Sequence, residues 1–147
     1  MPIAVRRTTV EWTGGLMGGE GRLLEGSSGA LDGFSLSLPS RIERADGRTS
    51  PEELLAAAHA ACFAMALTGT LEQAGASAQS VVVSAVCTLD RVGEQFRITS
   101  MELRVAAPGV EPGALDAAVT SAEAGCPVSA ALRGSVDVRV LVDAPPA

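Results

Sequence analysis

The sequence contains no lysine, no tyrosine, no asparagine and a single histidine, His59. Its 11 basic residues are therefore all arginine, they are scattered along the chain, and the net charge is −6. Nucleic acids and anionic membranes are recognised by clustered basic side chains, so neither is an expected partner. Only 19% of the residues are charged and 47% are apolar, which excludes the composition of a disordered chain. The three cysteines, Cys62, Cys87 and Cys126, are too few and too widely spaced for a secreted disulfide framework. Three Cys and one His match the ligand count of a structural zinc site, but no closely spaced Cys pair supports one. Arg6, Arg7 and Glu11 interrupt any apolar core of a signal peptide. The longest apolar run, Leu54 to Leu67 around His59, is too short to span a bilayer and suits a buried helix. A cytoplasmic location is the expectation, and with no repeat or linker in view, residues 1–147 read as one domain.

What is present is a pattern of short strands around one strong helix. Residues 3–13 are rich in β-branched positions, and the glycines at 14–15 and 18–19 predict a hairpin into Gly21–Glu25. Phe34, Leu36 and Leu38 alternate with serines, predicting a half-buried strand, followed by a polar stretch from Ser40 to Thr49. Ser50-Pro51-Glu52-Glu53 carries a cap, a first-position proline and the acidic third residue of a capping box. The helix it opens should run to about Gln73 and, being apolar all round, lie between two layers. Strands are predicted over 81–89, 96–105 and 136–142. A helix is predicted over 112–124, and a short one from Pro127 to before Gly134. The order β-β-β-α-β-β-α-α-β predicts an α+β fold, antiparallel sheet around a central helix.

The cysteines differ in setting. Cys62, in the middle of the long helix, shares a face with Leu55, Ala58, His59, Ala66 and Gly69. Burial there raises a thiol pKa, so chemistry at Cys62 requires a nearby cation. Cys126 precedes Pro127 at a helix start, where the partial positive charge favours thiolate. Cys87 falls on an apolar strand face and reads as core. His59 stands one turn before Cys62, so a Cys–His hydrolase or transferase is conceivable. Such a site needs a third group to orient the imidazole; the lack of asparagine removes the commonest one and leaves aspartate.

Two segments are specific together. Residues 49–67, TSPEELLAAAHAACFAMAL, and 124–132, AGCPVSAAL, resemble the OsmC/Ohr family of hydroperoxide-detoxifying proteins, in its osmotically inducible branch. The resemblance implies an intertwined homodimer whose two sheets enclose paired central helices. It implies a two-cysteine thiol peroxidase that reduces organic hydroperoxides, and more weakly hydrogen peroxide. Cys62 would be the nucleophile and Cys126 the resolving thiol, with a dithiol reductant and neither metal nor organic cofactor. An Arg–Glu pair would activate the nucleophile. Glu52 is the family's glutamate, and Arg41 is the best match for the arginine, ahead of Arg22, Arg44 and Arg48. Ten residues separate Glu52 from Cys62, about 15 Å along a helix, so Glu52 is expected to serve the partner chain's cysteine. An apolar pocket is expected from Leu55, Phe63 and Met65 near Cys62 and from Phe34, Leu38 and Ile42 near Arg41. The remaining alternative is a dimeric, non-enzymatic binding protein for apolar ligands.

Overall fold

A computed structural model gives the fold, and residues 1–143 are described. The chain separates into two compact units, with the boundary after Glu53.

The first unit holds a three-stranded sheet of β1 (Thr9–Thr13), β2 (Glu20–Leu24) and β3 (Ser35–Leu36), with β2 in the middle and both pairings antiparallel. Gly21 pairs with Trp12 on one side and Leu36 on the other. A Cβ at Gly21 would stand 2.8 Å from Leu36 and 3.0 Å from Trp12, so glycine lets both side chains cover the strand. The third strand is shorter than the alternation predicts because a helix, α1 (Leu38–Ile42), starts at once. Ser37 caps it: its hydroxyl accepts from the Ser40 N–H at 3.1 Å, and the Ser40 hydroxyl accepts from the Ser37 N–H at 3.0 Å. Pro39 in the first turn suits this start. A serine in place of Glu or Gln closes the box, which is why the sequence pattern reads as loop.

Helix α2 (Pro51–Gln73) has the predicted bounds, and the Ser50 hydroxyl accepts from the Glu53 N–H at 3.1 Å. It exceeds the apolar run in both directions, and by length and composition it could cross a membrane. The run length alone therefore decides nothing. Within the second unit, His59, Phe63, Leu67 and Leu71 form a buried stripe at four-residue spacing. The stripe joins a core with Met101, Leu103 and Val105 and with Leu115, Ala118, Val119 and Ala122. Those residues belong to the strand β5 (Gln95–Ala106) and the helix α3 (Pro112–Gly125). The two long strands, β4 (Val82–Val92) and β5, pair antiparallel with a register shift at Thr88/Leu89. After α3 come α4 (Pro127–Leu132) and β6 (Asp137–Val142). The last strand lies parallel to β5, which strand patterning does not predict. The intervening helices supply the long crossover that parallel neighbours require.

The opposite side of α2 is not buried in its unit: Ala57, Ala58, Ala61 and Thr68 are exposed and Met65 is 71% exposed. Phe63 is fully buried, so its expected place in a substrate pocket is corrected. It belongs to the stripe facing the sheet.

Candidate functional site

Two constellations contain the four residues expected to act, one in each unit. In the first unit, α1 presents Arg41 to Glu52 in the first turn of α2. Arg41 Nε donates to both carboxylate oxygens at 3.1 Å, and Nη2 donates to Oε1 at 2.6 Å. The Glu52 side chain is 10% exposed and that of Arg41 30%. Such a charge-assisted fork fixes the guanidinium plane as well as its position. The other candidate arginines are held elsewhere: Arg22 and Arg48 on Glu20, at 3.1 Å and 2.5 Å, and Arg44 on Asp46 at 3.8 Å.

In the second unit, the sequence-distant Cys62 and Cys126 come together, and their thiols share a hydrogen bond. Cys62 is half-buried and Cys126 fully buried. Burial pushes the Cys62 thiol up, and the adjacent Cys126 adds to the rise against the opposing Val128 N–H. Burial also acts to raise Cys126. The N–H and hydroxyl of Ser129, the Cys62 thiol and the Val128 N–H outweigh it and hold Cys126 below the ordinary thiol range. Cys126 is the N-cap of α4, followed by Pro127, and the partial positive charge of a helix start favours a thiolate there. Cys87 packs against the core from β4.

Sequence reasoning singles out His59 but passes over Ser129 and Glu123, which connect this pair to its surroundings. The Ser129 hydroxyl lies 2.7 Å from His59 Nε2 and 2.9 Å from Glu123 Oε2. His59 and Ser129 are both fully buried. The available signal was positional: Ser129 stands at the third position of the helix that Cys126 caps, where a side chain returns towards the cap. Burial lowers the His59 pKa against the attraction of Glu123, so the imidazole is neutral. Its Nε2 is engaged by Ser129, and Nδ1 has no hydrogen-bond partner among the described residues. His59 therefore makes no hydrogen bond to Cys62. Nor is this a hydrolase triad, in which the imidazole stands between nucleophile and acid; here the serine stands between the other two.

No group of three or more His, Cys, Asp or Glu side chains among the described residues is arranged to hold a metal. A cavity of about 260 Å³ lined by Ala107, Val110, Leu115 and Val142 includes neither Cys62 nor Cys126 in its wall.

Residues 44–140 match the family model of OsmC-like proteins. The chain belongs to the OsmC family. It is 38% identical over 133 residues to the peroxiredoxin OsmC of Escherichia coli K12, covering 89% of this chain and 92% of that one. It is 37% identical to the organic hydroperoxide resistance protein of Xanthomonas axonopodis pv. citri, covering 82% and 84% respectively. Among solved structures, an organic hydroperoxide resistance protein OsmC from Legionella pneumophila superposes with a TM-score of 0.76 at 29% identity, over 96% of this chain and 99% of that one. OhrB of Bacillus subtilis gives 0.76 at 27% identity, over 93% and 98%. The family fold, α+β with antiparallel strand pairs and a long apolar helix, is thus the fold of this chain.

Proposed function

We propose that the chain acts as one cytoplasmic thiol peroxidase domain that reduces organic hydroperoxides with Cys62 and Cys126. The observation that carries this reading is the meeting of two sequence-distant thiols in a fold shared with peroxiredoxin and hydroperoxide resistance proteins. The Cys62 thiolate attacks the peroxide oxygen, the O–O bond breaks, and the alkoxide leaves as an alcohol after taking up a proton. Cys62 becomes a sulfenic acid. Cys126 condenses with it, forming the disulfide and releasing water, which forestalls irreversible overoxidation. A dithiol reductant then restores both thiols. Because burial raises Cys62, a cation must reach it, and Arg41 in its Glu52 fork is the proposed source. A guanidinium stabilises the thiolate and donates to the peroxide oxygen.

The working unit is a homodimer. Ten residues separate Glu52 from Cys62, and an ideal helix rises about 15 Å over that span, which is why Glu52 is proposed to serve the partner chain's cysteine. Antiparallel pairing of two α2 helices would bring each Arg41–Glu52 fork to the partner's Cys62, and would cover the exposed Ala61 and Met65 face.

One equivalent of cumene hydroperoxide, followed by thiol counting and peptide mapping, tests the reading. Two thiols should be lost per chain, with Cys62 linked to Cys126. No thiol loss, or a disulfide containing Cys87, would refute it.

A further inference from the structure

The peroxidase reading leaves unexplained why a histidine, a serine and a glutamate are joined beside Cys126. Proton counting orients the network. A glutamate carboxylate only accepts hydrogen bonds, so the Ser129 proton points to Glu123 Oε2. The 2.7 Å contact to His59 must then be Nε2–H donating to the serine oxygen. This fixes the neutral imidazole in its Nε2–H form and leaves Nδ1 a bare acceptor; the other tautomer would bury an orphan N–H. The serine oxygen keeps one lone pair, and the Cys126 sulfur contacts that same hydroxyl. A protonated Cys126 can donate to that lone pair while the serine donates to Glu123; towards a Cys126 thiolate the hydroxyl is the donor, the direction that lowers the thiol pKa. Glu123 sits at the edge of the buried region with its side chain 27% exposed.

We propose that Ser129 and Glu123 form a proton relay that deprotonates Cys126 for its attack on the Cys62 sulfenic acid, with His59 holding the serine in the relaying orientation. The inference rests on the peroxidase reading above. Ser129 touches the reacting sulfur; Glu123 and His59 act through it as positioning residues. The Cys126 proton passes to Ser129 as the serine proton passes to Glu123. The Ser129 hydroxyl then points back at the thiolate, beside the N–H groups of Val128 and Ser129. The thiolate attacks the Cys62 sulfur, the S–S bond forms and the S–O bond breaks. Cys126 is oxidised and the sulfenic sulfur reduced, and the departing hydroxide takes up the relayed proton as water. The charged and titratable groups facing the relay are Cys62 and His59 from α2, Glu123 from α3 and Arg133 beyond α4. Arg133 Nη2 donates to the Glu123 carbonyl at 3.1 Å and stands 3.5 Å from Oε1.

The test follows disulfide closure separately from peroxide consumption, using full-length protein, one equivalent of cumene hydroperoxide, acid quenching and mass spectrometry between pH 5.5 and 9. Glu123→Gln should consume peroxide at the wild-type rate but close the disulfide about 100-fold more slowly near pH 6, the scale of a lost general base. Closure should recover about tenfold per pH unit as hydroxide replaces the carboxylate, and dimedone should trap the lingering sulfenic acid. Ser129→Ala should reproduce this profile, and Glu123→Asp should restore most of the rate. Wild-type closure rates and pH profiles in both Glu123→Gln and Ser129→Ala would overturn the relay. So would equal slowing of both steps, or slowing that pH does not relieve, since each marks a structural role. A wild-type protein that forms no Cys62–Cys126 disulfide would instead remove the peroxidase reading itself, and the relay with it.

Discussion

Cys62 and Cys126 share a hydrogen bond but not an environment. Cys62 comes from the middle of a long helix, where every backbone N–H is already committed to the helix ladder, and burial drives its thiol up. Cys126 comes from the start of a short helix, where uncommitted N–H groups and Ser129 hold its thiol down despite complete burial. The difference teaches a division of labour. On the proposed mechanism, the thiol that resolves draws on Ser129 and the N–H groups of its own helix start before any proton passes to Glu123, whereas the thiol that attacks peroxide must import a cation.

Loss of either sulfur should change the chemistry most. Cys62→Ser should abolish peroxide consumption. Cys126→Ser should still consume the first equivalent and then accumulate sulfenic and sulfinic acid at Cys62, read by intact mass. The reverse pattern would exchange the two roles.

Removing the imported cation comes next in size. Arg41→Ala and Glu52→Ala should each slow the first step by about 100-fold, the order of one lost charge-stabilising contact, without changing the rate of disulfide closure once the Cys62 sulfenic acid has formed. Mixed dimers of Cys62→Ser and Glu52→Ala chains sharpen this. Each should hold one intact site and exceed the Glu52→Ala homodimer in activity. A weighted average of the parents would place the fork and the cysteine in one chain.

The thiolates themselves can be titrated by their ultraviolet absorbance in single-cysteine variants that also lack Cys87. With Cys126 held low when folded, its absorbance should rise below the ordinary thiol range, and with Cys62 raised its absorbance should rise above it. Linkage gives the signs. The Cys126 contribution to stability is fully present above its unfolded pKa and fades as pH falls through the folded value. The Cys62 contribution is present at low pH and fades as pH rises through the folded value. Matching titrations in the two variants would erase the comparison.

How far this contrast was legible in the sequence depends on the scale of the interaction. The bounds of α2 follow from Ser50, Pro51 and the Ala-rich run, because caps and helical periodicity are local. The same holds for Cys126 ahead of Pro127, whose activated setting is visible in three residues. The helix α1 was missed because its box closes with Ser40, a weaker signal than Glu. The parallel pairing of β6 was missed because strand direction is set by the crossover, not by the strand. Ser129 and Glu123 lay in plain view near Cys126, but the hydrogen bond to His59 joins residues 70 apart. No local pattern encodes such a contact.

The smallest expected effect concerns which sulfur of the disulfide the reductant attacks. Thiol–disulfide exchange is governed by access to the attacked sulfur and by the leaving thiol, and the lower-pKa thiol leaves faster. Cys126 is fully buried and its thiolate is the better stabilised, whereas Cys62 is half-buried and its thiol is raised. Access and leaving ability therefore favour the same event: attack at Cys62 with departure of Cys126. A monothiol makes the choice visible, because its mixed disulfide cannot be cleared by a second thiol on the same molecule. Oxidised protein treated briefly with limiting 2-mercaptoethanol, quenched in acid and digested should carry the adduct mainly on the Cys62 peptide. A predominance on Cys126 would mean that the N–H groups around that sulfur do not stabilise it as a leaving thiolate, and the contrast between the two sites would lose its chemical consequence.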